Sequence, residues 1–201
     1  MKKQEVIICR NLSEDLSQAI SNNPHDKLFL LVDEHTSTLC KPLIDNLPCM
    51  QGDIEIKIGA EDVHKTLETL AYVWKSLSDQ GATRHSLMIN LGGGMVTDLG
   101  GFAASTFKRG ISYINIPTTL LAMVDASVGG KTGINFNGLK NEIGVFSPAE
   151  SVLIDAEFLK SLDSANLLSG YAEMLKHGLI STTAHWAELL NFDMDRIDYK
   201  A

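Results

Sequence analysis

The sequence LMINLGGGMVTDLGGF, residues 87–102, decides the fold that we predict for this chain. Its apolar beginning, Leu87 to Leu91, is typical of a strand that is buried on both faces of a parallel sheet. Three glycines follow, and the small and apolar residues from Met95 to Phe107 predict a helix. A strand, a glycine turn and a helix together present backbone N–H groups and a helix dipole to a phosphate. Because the spacing is not G-x-G-x-x-G, these residues alone leave a phosphate site and a turn without a ligand equally open.

Segments on either side extend the same α/β pattern. The run KLFLLV at 27–32 shows little alternation, as expected of a strand covered on both faces, and Ile54 to Ile58 alternates like a strand at an edge. Asn137-Gly138 between two apolar segments predicts a β-hairpin with a type I′ turn. We therefore expect a Rossmann-like α/β domain over residues 1–163, followed by the first helices of a helical domain over residues 164–201.

Composition excludes several classes of function. A hydrophobic fraction of 44% with 21% charged residues is ordinary for a globular protein. The net charge of −8 argues against partners such as nucleic acid or an anionic membrane, which require basic surface. Cys9, Cys40 and Cys49 are an odd number without a C-x-x-C motif, which favours free thiols in a reducing compartment. The apolar run from Val6 to Cys9 is too short for a signal or membrane segment, so we expect a cytoplasmic protein.

The last twenty residues carry apolar side chains that have no obvious partner in the sequence. They include Trp186, Leu189, Leu190 and Phe192. We therefore expect an apolar face that a further part of a longer chain would cover.

Charged residues gather at three predicted loop or strand ends. Lys108-Arg109 follow the predicted helix, Asp125 and Lys131 flank a pair of glycines, and Glu173 precedes Lys176 by one helical turn. Lysines and arginines around glycine-rich turns suit a phosphate or a carboxylate, because they supply charge and directional donors together. Glu173 and Lys176 alone are better explained by a surface salt bridge than by a binding site.

Four segments carry a close resemblance to a known family. They are GGGMVTDLGGFAASTFKRG at 92–110, INIPTTLLAMVDASVGGKTGIN at 114–135, LKNEIGVFSPAESVLID at 139–155 and LSGYAEMLKHGLI at 168–180, with a looser match in GAEDVHK at 59–65. In this order they resemble the 3-dehydroquinate synthase family of the sugar-phosphate cyclases. The resemblance implies an α/β domain that binds NAD, followed by a helical domain that carries most of a zinc or cobalt site.

The resemblance also implies a reaction. The substrate would be a sugar-acid phosphate, 3-deoxy-D-arabino-heptulosonate 7-phosphate, and the products 3-dehydroquinate and phosphate, in the shikimate pathway to aromatic amino acids. NAD would transiently oxidise the C5 hydroxyl, because the resulting carbonyl acidifies the adjacent proton and allows phosphate to leave by β-elimination. Re-reduction, ring opening and an aldol cyclisation would follow, with the metal acting as a Lewis acid.

Site residues follow from the resemblance position by position. Asn141, Lys131, Asp125 and Lys176 match substrate-binding and catalytic residues, and Arg109 matches an arginine that reaches the phosphate of a neighbouring subunit in a homodimer. Glu173 matches a metal ligand. The implied cofactor contacts are Asp33, Glu61, Lys65, Gly93, Gly94, Asp98, Thr118, Thr119, Lys131, Lys140, Phe158 and Ser161.

Departures from the family pattern limit these expectations. His35 stands where the family commonly has asparagine, and Ser161-Leu-Asp replaces Thr-Leu-Pro. The two histidine ligands of the family metal site have no match in this sequence. We do not expect His177 and His185 to replace them, because catalytic zinc needs three protein ligands held together. The 201 residues are therefore expected to keep NAD affinity with little or no turnover.

Three alternatives remain at this stage. A sister cyclase would use another sugar phosphate and make an aminocyclitol precursor. An iron-dependent alcohol or glycerol dehydrogenase shares the glycine turn, although the block from Asp125 to Lys131 argues against it. A non-catalytic nucleotide-binding module would keep the cofactor site alone.

Overall fold

The computed structural model describes residues 4–194, 196–197 and 199. Six parallel strands form the central sheet: β1 (Glu5–Ile8), β2 (Leu28–Asp33), β3 (Ile54–Ile58), β4 (Leu87–Gly92), β5 (Ser112–Pro117) and, after the hairpin described below, β8 (Ser151–Ile154). Their spatial order is β1-β8-β5-β4-β2-β3. The predicted α/β class is thus confirmed, and Ile54–Ile58 is an edge strand as its alternation indicated.

Six α-helices accompany the strands within the residues that the structure describes. They are α1 (Leu12–Ser21), α2 (Glu34–Leu39), α3 (Leu67–Asp79), α4 (Gly94–Thr106), α5 (Ser164–Ile180) and α6 (Thr183–Leu190). Short 3-10 turns lie at Lys41–Leu43, Pro48–Met50, Asp62–His64, Phe107–Arg109 and Ala156–Ser161, and a π-helix lies at Ala122–Ala126. No helix in the described residues is long and apolar enough to cross a membrane.

The sheet is covered on both faces. Successive side chains of its central strands point to opposite sides, so each strand contributes to both apolar layers. On one face Phe29 and Leu31 of β2 pack with residues of α3 and α4, including Leu70 and Leu99. On the other face Leu28, Leu30 and Val32 pack with α1 and with the segments around Ile44 and Phe158. Two apolar layers explain why β2 and β4 lack the alternation of a half-exposed strand.

Strand order creates a crevice at one edge of this sheet. The chain runs outward from β2 to β3 and then returns to place β4 on the other side of β2. Open α/β sheets bind ligands at the carboxyl ends of their strands, at the point where the order reverses. In the observed register Val32 of β2 lies beside Leu91 of β4, which lies beside Ile116 of β5. The residues that follow these three strands therefore meet at a single edge.

A separate antiparallel hairpin, β6 (Lys131–Phe136) and β7 (Leu139–Phe146), follows the π-helix. Asn137 and Gly138 have φ values of 50° and 79°, the positive values that a type I′ turn requires. Gly101 of α4 faces Thr132, since an added Cβ would lie 2.6 Å from the Thr132 Cγ2 atom. The hairpin therefore packs against α4, the helix that begins at the glycine turn. The positive φ values of Asn137 and Gly138 confirm the predicted hairpin turn.

The apolar tail is partly covered within the described residues, which corrects the expectation from sequence. Leu189 is buried against Gly178 of α5, where an added Cβ would lie only 2.8 Å from the Leu189 Cδ1 atom. Tyr171 donates a hydrogen bond to the carbonyl of Leu189. Leu190 and Phe192 remain exposed. Gly178 thus allows α6 to pack against α5. Only part of the apolar face that we expected to be uncovered remains exposed.

Candidate cofactor and substrate site

A cleft of about 750 Å³ lies at the carboxyl edge of the sheet. Its walls come from the end of β2, the loop before α3, the glycine turn, the loop after β5 and the beginning of α5. Ten of the site residues predicted from sequence line it: Asp33, Glu61, Lys65, Gly93, Gly94, Asp98, Thr118, Thr119, Asn141 and Ser161.

The glycine turn leaves the amino end of α4 without a side-chain cap. Gly93 is the N-cap residue and supplies no side-chain acceptor, whereas the other five described α-helices are each capped by a side chain, from Asn11, Asp33, Thr66, Asp163 and Thr182. A Cβ at Gly93 would lie 2.9 Å from Thr119 Cγ2. The backbone can approach a ligand here, and the N–H groups and dipole of α4 favour an anionic group.

Asp33 ends β2 and begins α2 in a capping box. Its Oδ1 accepts a hydrogen bond from the Thr36 N–H at 2.7 Å, and the Thr36 hydroxyl accepts one from the Asp33 N–H at 3.0 Å. Paired backbone and side-chain bonds of this kind fix the carboxylate orientation. A carboxylate at this place is suited to accept hydrogen bonds from ribose hydroxyls.

Lys65 is a buried cation at the floor of the cleft, 4% exposed. Its Nζ donates to Asp98 Oδ2 at 2.5 Å and to Asn141 Oδ1 at 2.5 Å. Burial raises the pKa of Asp98, and the Lys65 ammonium acts in the opposite direction. The three side chains come from the loop before α3, from α4 and from the hairpin, so the contact joins three elements that are distant in sequence.

A second cavity of about 430 Å³ opens beside the first. Asp98 and Asn141 line both cavities, whereas Asp125 and Lys131 line only the smaller one. Lys131 Nζ lies 3.2 Å from Asp125 Oδ1. The structure therefore places Lys131 with the predicted substrate residues, away from the wall of the cleft where the other predicted cofactor residues lie.

Asp125, Glu173 and His177 lie close enough together to hold a divalent metal, a grouping that we did not expect for His177 from the sequence. One ligand atom from each lies within 4.8 Å of the others. Glu173 and His177 are four residues apart on α5, and the π-helix brings Asp125 to them. Carboxylate and imidazole ligands suit zinc and cobalt. Lys176 also donates to Glu173, while His185 lies near Glu188 at 3.8 Å and is not part of the group.

Three predicted residues lie elsewhere. Phe158 is fully buried in the core and is not among the residues that line the cleft, so a cofactor contact there stays a prediction. Lys140 is exposed and pairs with Asp62 at 3.0 Å, beside the cleft. Arg109 is exposed in the 3-10 turn that follows α4, at φ 70°, and lines neither of the two cavities.

Sequence reasoning missed several residues of the cleft. Asp62 lines it next to Glu61, and Asn166 and Ser169 extend α5 into its wall. Asn135 bonds to Asp62 from the hairpin. The position of Asp62 beside Glu61, a predicted site residue, could have indicated it from the sequence. The contacts from α5 and from the hairpin could not be predicted in this way, because they depend on tertiary packing.

Comparison with known proteins agrees with this geometry. The family model described as 3-dehydroquinate synthase N-terminal matches residues 55–169, more than half of the chain. The chain belongs to the 3-dehydroquinate synthase family. The match includes the glycine turn, the π-helix and the hairpin, and ends within α5.

Individual members of this family are similar to the chain over most of its length. A 3-dehydroquinate synthase from Parabacteroides distasonis is 53% identical over 199 residues, which are 99% of this chain and 56% of the relative. Two further 3-dehydroquinate synthases, from Clostridium tetani and Prochlorococcus marinus, are 44% and 43% identical over 78% and 88% of this chain, and 42% and 49% of their own lengths. The chain therefore spans about half the length of the curated relatives it matches.

Solved structures share the fold. The 2-epi-5-epi-valiolone synthase of Streptomyces hygroscopicus, with NAD+ and Zn2+ bound, superposes with a TM-score of 0.80 at 32% identity, covering 89% of this chain and 50% of that one. A 2-deoxy-scyllo-inosose synthase, complexed with carbaglucose-6-phosphate, NAD+ and Co2+, gives 0.79 at 23% identity over 87% of this chain and 49% of that one. The second likeness concerns the fold alone.

Proposed function

We propose that this chain supplies the NAD-binding part and much of the substrate site of a 3-dehydroquinate synthase. The proposed reaction converts 3-deoxy-D-arabino-heptulosonate 7-phosphate to 3-dehydroquinate and phosphate. One observation carries the proposal: the cleft at the uncapped end of α4 and the cavity of Asp125 and Lys131 meet at Asp98 and Asn141. A cofactor in the cleft and a substrate in the smaller cavity would therefore lie next to each other at these two residues.

In this proposal the chain holds NAD chiefly by its backbone. Gly93 and Gly94 admit the pyrophosphate to the amino end of α4, and the fixed carboxylate of Asp33 accepts hydrogen bonds from a ribose. Thr118 and Thr119 follow β5 in the wall of the cleft and would lie on the nicotinamide side. The end of α4 that lacks a side-chain cap fits the pyrophosphate of NAD. Both glycines are needed there, because a side chain at Gly93 would approach Thr119 and one at Gly94 would approach Ala126.

Lys131 and Asn141 would bind the substrate phosphate, and Asp125 and Lys176 would hold its hydroxyl and carboxylate groups. The Lys131 ammonium is half exposed and pairs with Asp125, so it could exchange this partner for the substrate phosphate and remain paired with that phosphate when it is eliminated. When bound, NAD would supply the reversible hydride transfer that acidifies the proton lost in the elimination, and the metal would polarise the reacting oxygens.

The metal would be zinc or cobalt, with Glu173 as a ligand. Asp125 and His177 are close enough to Glu173 to contribute further ligand atoms from this chain. We also propose a boundary at residue 163 between the NAD-binding domain and the helical part that carries Glu173.

Two further expectations belong to this proposal. A homodimer would bring Arg109 to a phosphate site of the partner, and its exposed position outside both cavities supports that role. A cytoplasmic location is supported by three free cysteines.

Calorimetric titration of the 201-residue chain with NAD tests the cofactor site. Asp33→Asn keeps an acceptor for the Thr36 N–H but removes the charge that a ribose would meet, and we expect affinity to fall by about tenfold. Asp155→Asn is the matched control, because Asp155 also accepts an N–H, from Glu157, but lies outside both cavities. Equal affinities for the two variants would refute the cofactor site.

A chimera tests the reaction itself. This chain would replace the matching residues of the Parabacteroides distasonis relative, whose remaining part would supply the rest of the protein. Release of phosphate and formation of 3-dehydroquinate, both lost on Lys131→Met, would support the proposal. A folded chimera that binds NAD but leaves the substrate unchanged would reject the proposed activity while keeping the cofactor site.

A further inference from the structure

Asn135 lies at an irregular point of the β6–β7 hairpin. The pairing register shifts between Ile134 and Phe136, because β7 places three residues, 140–142, opposite Asn135 in a bulge. Residues in bulges often redirect a side chain away from the sheet. Here the backbone and side chain of Asn135 bond to the loop before α3 and to the neighbouring strand.

Four hydrogen bonds connect Asn135 to its surroundings. Its backbone N–H donates to the Lys65 carbonyl at 2.8 Å. Its Nδ2 donates to Asp62 Oδ2 at 3.1 Å and to the Asp62 carbonyl at 3.4 Å. Its Oδ1 accepts from the Asn141 N–H at 3.0 Å. Asn135 therefore uses both ends of its amide and its backbone at once.

The two residues that Asn135 holds through their backbones also contact each other through their side chains. Lys65 Nζ donates to Asn141 Oδ1 at 2.5 Å. Asn141 has a φ of 54°, a conformation that non-glycine residues adopt only with support from their surroundings. The bond from the Asn141 N–H to Asn135 supplies such support. A closed ring of contacts thus runs from Asn135 to Lys65, to Asn141 and back to Asn135.

We propose that Asn135 is a positioning residue that fixes the Lys65 ammonium where the two cavities meet. It does so by tying the hairpin to the loop that carries Lys65 and by holding Asn141 in the conformation that presents its Oδ1. The proposal deepens the proposed function, since it rests on Lys65 and Asn141 lying between cofactor and substrate.

An amide is the group that this position requires. Aspartate keeps an acceptor for the Asn141 N–H but has no donor for Asp62, and it places two carboxylates next to each other. Alanine removes all three side-chain bonds and leaves the backbone bond to Lys65. Both variants are therefore expected to release the Asn141 amide from the Lys65 ammonium.

Nitrogen-15 NMR of the lysine side chains reports on this contact directly. Lys65 is almost fully buried and has two acceptors, so its ammonium protons should exchange slowly enough to give a signal, which Lys65→Met assigns. We expect Asn135→Ala to abolish or shift that signal. Asn137→Gly is the matched control, because it alters the same hairpin at a turn position with positive φ that glycine accepts.

Binding provides the second measurement. Asn135→Ala should weaken NAD binding by about tenfold, and by less than about threefold when Asn141→Ala is already present, since the two act through one contact. An unchanged Lys65 signal, or fully additive effects, would overturn the proposal. If Asn135→Ala does not fold, Asn135→Asp gives the same two measurements. Should the wild-type chain not bind NAD, the proposed cofactor site fails, while the Lys65 signal still decides the role of Asn135.

Discussion

The two halves of the candidate site are built in different ways. The cofactor cleft rests on β2 and β4, in which every residue is buried, and on a turn whose contacts come from glycine backbone. The substrate side rests on β7, in which every residue is exposed, and on half-exposed ion pairs such as Lys131 with Asp125. Backbone and core packing fix the first half, whereas charged side chains form the second.

The two halves are therefore expected to contribute differently to folding and to ligand binding. Buried apolar strands contribute to folding whether or not a ligand is present. Exposed ion pairs contribute little to folding but remain free to exchange their partner for a phosphate or a metal. We therefore expect substitutions in the first half to change the free energy of unfolding, and those in the second half to change binding.

The largest expected effect is at the buried pair of Lys65 and Asp98. Asp98→Ala leaves the Lys65 ammonium without its carboxylate, and we expect the free energy of unfolding to fall by about 3 kcal/mol. Asp125→Ala breaks the half-exposed pair with Lys131 and should reduce it by less than about 1 kcal/mol. Urea titration measures both. Equal losses would remove the distinction between the halves.

Gly100 of α4 tests backbone packing in the first half. A Cβ there would lie 2.2 Å from Asn90 Oδ1 and 2.7 Å from Leu31 Cδ2. Asn90 also donates to Asn115 across the sheet at 2.9 Å, so it has little freedom to move. Gly100→Ala should lower the free energy of unfolding by about 2 kcal/mol. In thermal unfolding, Ser105→Ala on the same helix should cause little change, and a stable Gly100→Ala variant would contradict the packing.

His177 tests the second half. His177→Ala should weaken Co2+ binding by more than about tenfold while changing the free energy of unfolding by less than about 0.5 kcal/mol. Visible absorption of bound Co2+ and calorimetry measure the affinity. His185→Ala, which removes a histidine outside the group, should leave it unchanged. If both variants bind Co2+ as the wild type does, His177 is not a ligand.

The smallest effect concerns Asp26, far from the cavities. Hydrogen bonds from Thr83 and Ser86 hold the pKa of Asp26 below its usual value. A lowered folded-state pKa stabilises the chain above the usual pKa, and that contribution is lost as the pH falls through the folded value. Thr83→Val should therefore raise the Asp26 pKa and make stability less dependent on acidic pH.

Carboxyl NMR titration of Asp26 checks this change. Asp163, whose pKa is lowered by bonds from Asn166, serves as an internal control in the same spectra. A shift of both carboxyl groups would indicate a general change in the fold in place of a local one.

The sequence predicted the first half well because its signals are local. Unbroken apolar runs indicated β2 and β4, the glycines indicated the turn, and Asn137-Gly138 indicated the hairpin, whose positive φ values agree. Each of these features depends on residues that are adjacent in the chain.

The second half was harder to predict because its contacts join distant segments. Nothing in the sequence near Asp125 indicates that Glu173 and His177 lie beside it, and the bonds from Asn135 cross from the hairpin to another loop. Phe158 shows the converse limit. The resemblance implied a cofactor contact there, but the direction of its side chain depends on the core, which buries it completely.

The π-helix at Ala122–Ala126 makes the position of Asp125 depend on the number of residues as well as on their kind. Its wider turn is seen in the bond from the Ser127 N–H to the Ala122 carbonyl, five residues back. Deleting one residue before Asp125 would restore an ordinary helical turn and rotate the carboxylate by about 100°. Lys131 and Glu173 would then lose their neighbour although no side chain of the group had been replaced, so the length of this segment matters to the group as much as its residue types do.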